Sequence, residues 1–100
     1  MRTIPRKEDL TTEFKSDIKG YSDSDLLDEI VGMTNTKGGI LYLGVEDNGD
    51  ITGVNKKHKD AIGVTALIAN NTDPSVSVRA EVITEENQDV LKIEFQLAEQ

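Results

Sequence analysis

Two glutamates separated by four residues, Glu8 and Glu13, stand ahead of a Phe14-Lys15 pair, and Asp47 follows an apolar stretch further along. Hard divalent cations take oxygen ligands, and Mg²⁺ is commonly held by one or two carboxylates while keeping water, so Glu8, Glu13 and Asp47 form a candidate metal set. Spacing alone does not gather them. Five positions along a strand put Glu8 and Glu13 on opposite faces, so a turn between them is required. With nineteen acidic residues in the chain some such trio is easy to find, and solvated surface is the plainer reading.

A second kind of chemistry is offered by lysines and glycines. Asn35-Thr36-Lys37-Gly38-Gly39 joins a helix end to an apolar strand, and its two glycines permit close approach of a phosphate or of another backbone. It lacks the Gly-x4-Gly-Lys-Ser/Thr spacing of a phosphate-binding loop and follows a helix instead of preceding one, which leaves an ATP site unsupported. Lys56, Lys57 and Lys59 surround His58 at the start of a second helical pattern and could touch phosphates, each contact adding affinity without sequence choice. His58 has no second histidine as partner and reads as exposed. Phe14, Tyr21, Tyr42 and Phe95 are the only aromatic residues, too few for a base-stacking sheet once both phenylalanines are assigned to buried faces.

Composition narrows the setting. One hundred residues, of which 36% are hydrophobic and 30% charged, describe a single domain with one core. The net charge of -8 argues against a uniformly basic surface, yet nine of the eleven Lys and Arg precede residue 61, so the first sixty residues carry -3 and the last forty -5. A local basic face in the first sixty is compatible with that division. Absence of cysteine excludes disulfides, cysteine zinc sites and thiol catalysis. No apolar run approaches a bilayer span and residues 1–10 are charged, so no membrane partner or export is expected and the expected location is cytoplasmic.

The elements that must position these residues follow from periodicity. Residues 11–16 predict a strand with Phe14 on one face and Glu13 and Lys15 on the other. Ser22 and Asp25 make an imperfect capping box before a helix over residues 23–35, whose stripe is Leu26, Leu27, Ile30, Val31, Met33 and Thr34. Residues 40–45 form a continuous apolar run suited to a strand covered on both faces. Asn48-Gly49 predicts a tight hairpin, residues 59–70 a second helix, and two alternating stretches, 76–82 and 91–97, strands joined by a loop over 85–89. The resulting class is α+β, with a mostly antiparallel or mixed β-sheet and two main helices; an alternating βαβ order fits poorly.

Taken together, Glu8-x4-Glu13-Phe14-Lys15, then Asn35-Thr36-Lys37-Gly38-Gly39, then Leu43-Gly44-Val45-Glu46-Asp47-Asn48-Gly49-Asp50-Ile51-Thr52-Gly53-Val54 resemble the Schlafen AlbA-type domain, also described as a divergent AAA-associated domain. The likeness runs in order from about Glu8 to Leu97. It implies a small α+β DNA-binding module of bacterial transcriptional-regulator-like proteins, commonly the N-terminal part of a longer chain. Family members commonly continue with a Tyr-x-Arg-x-Gly pattern that is not found before Gln100, so further domains of a parent protein are expected partners. Where the family often has Ala-Phe-Ala before Asn-Thr, this sequence has Gly32-Met33-Thr34, which lowers helix propensity at Gly32.

Three readings follow. The first is a module that binds DNA or structured RNA, with Lys15, Asn35, Lys37, Gly38, Gly39, Lys56, Lys57 and Lys59 as its contact residues. The second is implied by Schlafen ribonucleases: Glu8, Glu13 and Asp47 as metal ligands and catalytic residues, with Mg²⁺ or Mn²⁺ activating water on RNA. The third is an interaction module whose apolar or edge surface docks another part of its parent protein or a second copy, as a homodimer.

Overall fold

In the computed structural model, which describes residues 2–97, six regular elements follow one another: β1 (Thr12–Lys15), α1 (Asp23–Thr36), β2 (Gly39–Leu43), α2 (Ala61–Asn70), β3 (Arg79–Glu85) and β4 (Gln88–Phe95). A 3₁₀ turn at Lys56–His58 precedes α2. The strands form one sheet in the order β1-β2-β4-β3. β1 runs parallel to β2, and β2 and β3 run antiparallel to β4. The sheet is therefore mixed and the class α+β, as the periodicity implies, with one parallel crossover, β1–α1–β2, inside it.

The continuous apolar run at β2 is explained by cover on both faces. On one face Leu41 and Leu43, with Leu91, Ile93 and Phe95 of β4, meet Leu26, Ile30 and Met33 of α1 and Val64 and Ile68 of α2. On the other, Tyr42, Phe14, Val45 and Val90 are closed over by Ile4. Each fully buried Leu or Ile contributes about 1.5–3 kcal/mol relative to exposure. The Phe14 and Tyr42 rings meet edge-on, with centroids 6.1 Å apart.

The segment that carries Ile4 is pinned at both ends. The Arg2 guanidinium donates to the carbonyls of Ile4 at 2.8 Å and Gly49 at 2.7 Å, and the Glu85 carboxylate accepts from the Ile4 amide at 2.9 Å. α1 starts at Ser22, whose Oγ accepts from the Asp25 amide at 3.1 Å, and Asp23 and Asp25 place negative charge at the positive end of the helix.

Three local outcomes differ from the alternation pattern. At Asn48-Gly49 the chain does turn, but pairing beyond it is limited to a single bridge, Val45 to Ile51. β3 begins at Arg79 and not at Val76; ahead of it the Val76 amide donates to Thr72 Oγ1 at 2.8 Å. The loop expected over 85–89 is a two-residue turn in which Glu86 and Asn87 have φ of 50° and 62°, so pairing extends to Glu85 and Gln88. Two successive left-handed residues match the right-handed twist of a hairpin.

Candidate nucleic-acid interface

Beyond the carboxyl end of β1 the chain buries a carboxylate. Asp17 is fully buried, and its oxygens accept from the Tyr21 amide at 2.6 Å, the Asn55 amide at 2.7 Å and the His58 ring at 2.7 Å. An ionised carboxylate only accepts, so His58 carries its proton on Nδ1. His58 is 2% exposed, which corrects its reading as a surface residue. Alternating lysines around a histidine at a helix start resemble a solvated turn; Asp17, forty-one positions earlier, is what draws the imidazole in. Sequence reasoning missed Asp17 altogether, since no local pattern announces a carboxylate whose partners are distant amides.

This hub ties the β1–α1 connection to the 3₁₀ turn, and the turn in turn presents its lysines outward. Asn55 caps it through its side-chain oxygen, which accepts from the Lys57 amide. Lys56, Lys57 and Lys59 are exposed, as is Lys19 on the adjoining connection. The Lys57 side chain runs alongside Gly20: a Cβ there would stand 3.6 Å from Lys57 Cε. Lys59 lies 3.8 Å from Asp89, whereas Lys19, Lys56 and Lys57 make no ion pair among the described residues.

Lys15 and Lys37 occupy different ground. Gly39 starts β2 and Lys15 pairs with Leu43 at its far end, so the Lys37-Gly38-Gly39 loop and the lysine turn held to Asp17 lie toward opposite ends of the sheet. Lys15 Nζ is 4.0 Å from Glu29 Oε1 of α1. The Glu13 carboxyl is pushed above the ordinary value first by partial burial and then by Glu8 and Glu29, with Lys15 and Lys37 opposing. The Tyr21 hydroxyl is pushed up to about 12, chiefly by burial and then by Glu29, Asp25, Glu13 and Asp28. Lys15 and Lys37 thus sit in a field dominated by acidic side chains.

The glycines of that loop face the protein's own backbone. Gly38 and Gly39 have φ of 69° and 131°, and an added Cβ would stand 2.7 Å from the Leu97 nitrogen and 2.2 Å from the Thr11 carbonyl oxygen, respectively. Asn35 is exposed on the last turn of α1.

Glu8 stands near enough to Glu13 to raise its pKa. Glu8 Oε1 accepts from the Phe14 amide at 2.9 Å, covering the outer edge of β1, and Asp47 is exposed in the turn after β2. Among the described residues no group of three His, Asp or Glu side chains is gathered closely enough to hold a metal ion. No helix among them is long and apolar enough to cross a membrane.

Comparisons with known proteins agree with this architecture. The Schlafen AlbA_2 family model matches residues 8–100. No curated protein matches the chain. Among solved structures, the crystal structure of the DIP2311 protein from Corynebacterium diphtheriae is similar, with a TM-score of 0.70 and 26% identity over 88% of this chain. The chain spans only 21% of that protein's length.

Proposed function

The chain belongs to the Schlafen AlbA_2 family, and on that premise we propose that it is a DNA-binding module of a transcriptional-regulator-like protein, gripping the phosphate backbone through the lysine turn at residues 56–59 together with Lys19. The observation that supports this reading is the anchoring of that turn to buried Asp17, which holds three exposed lysines beside a fourth on a fixed frame. Phosphate contacts of this kind position a protein on a duplex and are independent of sequence. The acidic surroundings of Lys15 and Lys37 make them poorer phosphate ligands than Lys56 and Lys57, although all four precede residue 60. No step of the reading passes through Glu8, Glu13 or Asp47.

Fluorescence-anisotropy titration of a duplex DNA and of an RNA hairpin at low salt tests it. Duplex binding that weakens when Lys19, Lys56 and Lys57 are all changed to Gln is the expected result. Absence of binding to the duplex at low salt, or full binding by the triple variant, removes the reading; stronger binding to the hairpin reassigns the partner to RNA.

A further inference from the structure

The two edges of the sheet are treated differently. On the β1 edge, the outward Phe14 amide is occupied by the Glu8 carboxylate. On the β3 edge no such cover is made by the described residues. Pairing closes at Glu85 and Gln88 around a two-residue turn, so Arg79, Glu81, Ile83 and Glu85 exchange hydrogen bonds with β4. The amides and carbonyls of Ala80, Val82 and Thr84 therefore point away from the sheet, and among the described residues no hydrogen bond reaches them. Val82 is 38% exposed, one of the few large apolar side chains at the surface. An uncovered strand edge with an apolar residue at its middle is a template for another strand.

The strand is also complementary to itself. Laid antiparallel against a second β3 with Val82 opposite Val82, the outward residues meet: Ala80 faces Thr84 and Val82 faces Val82, each as a hydrogen-bonding pair. Arg79 then stands opposite Glu85 at both ends and on the same face of the sheet, where cross-strand side chains are closest. Arg79 has no ion-pair partner among the described residues, while Glu85 is held in place by the Thr3 and Ile4 amides. A one-residue slip would set strand-bonded residues against outward ones and lose both charge pairs, so the register is specified.

We propose that the β3 edge is a homodimer interface, in which two copies pair antiparallel about Val82 and join their sheets into one continuous eight-stranded sheet. Seven residues of strand span roughly 24 Å, so the contact lies at the small end of specific interfaces and the association depends on concentration.

Analytical ultracentrifugation of the 100-residue chain across a concentration series, with hydrogen exchange at the highest and lowest concentrations, tests this. The expected result is a rise toward twice the chain mass, with the Ala80, Val82 and Thr84 amides slowing as it occurs. Val82→Pro removes an outward amide that β4 does not use and is expected to leave a monomer. Arg79→Glu, an exposed change that leaves the fold intact by circular dichroism, sets like charges opposite each other and raises the dissociation constant by about tenfold or more, whereas Arg79→Lys retains dimerisation. A chain that stays monomeric throughout, a dimer whose protected amides lie elsewhere, or Arg79→Glu associating like the unaltered chain would each overturn the proposal.

Discussion

His58 Nδ1 lies 2.7 Å from Asp17 Oδ2, and both side chains are withdrawn from solvent. Burial of a charge is tolerated only when its hydrogen-bonding capacity is met, and Asp17 meets it with two backbone amides besides the imidazole. Asp17→Ala leaves those three donors unmatched in the interior and is expected to cost about 3–5 kcal/mol, read as a lowered urea midpoint. His58→Asn is expected to cost less than Asp17→Ala, since the shorter amide can still donate to Asp17 and also removes Nε2, which is buried without a partner. Equal midpoints for Asp17→Ala and the unaltered chain would mean that the hub does not hold the lysine turn.

Two glycines give opposite expectations. Gly39 has φ of 131° and its Cβ would meet the Thr11 carbonyl oxygen of the neighbouring chain segment at 2.2 Å. Gly39→Ala therefore combines left-handed strain, about 1–3 kcal/mol, with displacement of the approach to β1. Gly32 lies on the exposed side of α1 with nothing within 4 Å of its would-be Cβ. Gly32→Ala is expected to stabilise by about 0.4–1 kcal/mol, raising the thermal midpoint where Gly39→Ala lowers it.

These cases show what was legible beforehand. Alternation around Phe14 correctly put Glu13 and Lys15 on the opposite face, and the unbroken run at β2 correctly implied two-sided cover, because strand burial writes itself into adjacent residues. Ties made by single hydrogen bonds are invisible to such patterns: Thr72 Oγ1 holding the Val76 amide ahead of β3, and Asp17 drawing His58 inward. For the candidate site, the lysines could be named from composition, but their division between two ends of the sheet depends on the parallel β1–β2 register. Which lysines face acidic neighbours depends likewise on α1 bringing Glu29 beside Lys15.

The proposed phosphate contacts make a quantitative statement about salt. For duplex DNA the logarithm of affinity falls against the logarithm of salt concentration with a slope of about -0.9 for each phosphate neutralised. Contacts from Lys19, Lys56 and Lys57 imply a slope of about -3, reduced by about one for each Lys→Gln change. Lys37→Gln, in the acidic region beside Glu13, is expected to leave the slope unchanged. A slope that falls with Lys37→Gln but not with Lys57→Gln would move the interface to the other end of the sheet.

Glu13 and Glu85 should respond to pH in opposite senses. Partial burial first, and then Glu8 and Glu29, raise the folded pKa of Glu13. Its protonated form is thus the one the fold prefers: the stabilising contribution is complete below the ordinary glutamate value and is lost as pH rises through the raised folded value. Glu13→Gln, which imitates the protonated form, is expected to match the unaltered chain near pH 3 and to have the higher thermal midpoint at pH 7. At Glu85 the hydrogen bond from the Thr3 hydroxyl, opposed by desolvation and assisted by the Ile4 and Thr3 amides and by Arg2, lowers the folded pKa. Its contribution is present above the ordinary value and lost as pH falls through the lowered one, so Glu85→Gln has the lower midpoint at pH 7 and the gap closes toward acid. Because Glu85 holds the segment that places Ile4 over Phe14 and Tyr42, loosening at pH 7 should also quicken hydrogen exchange at the Ile4 amide. Thermal scans of both variants between pH 3 and 7 check the pair, and midpoints that shift in the same direction at pH 7 would contradict it.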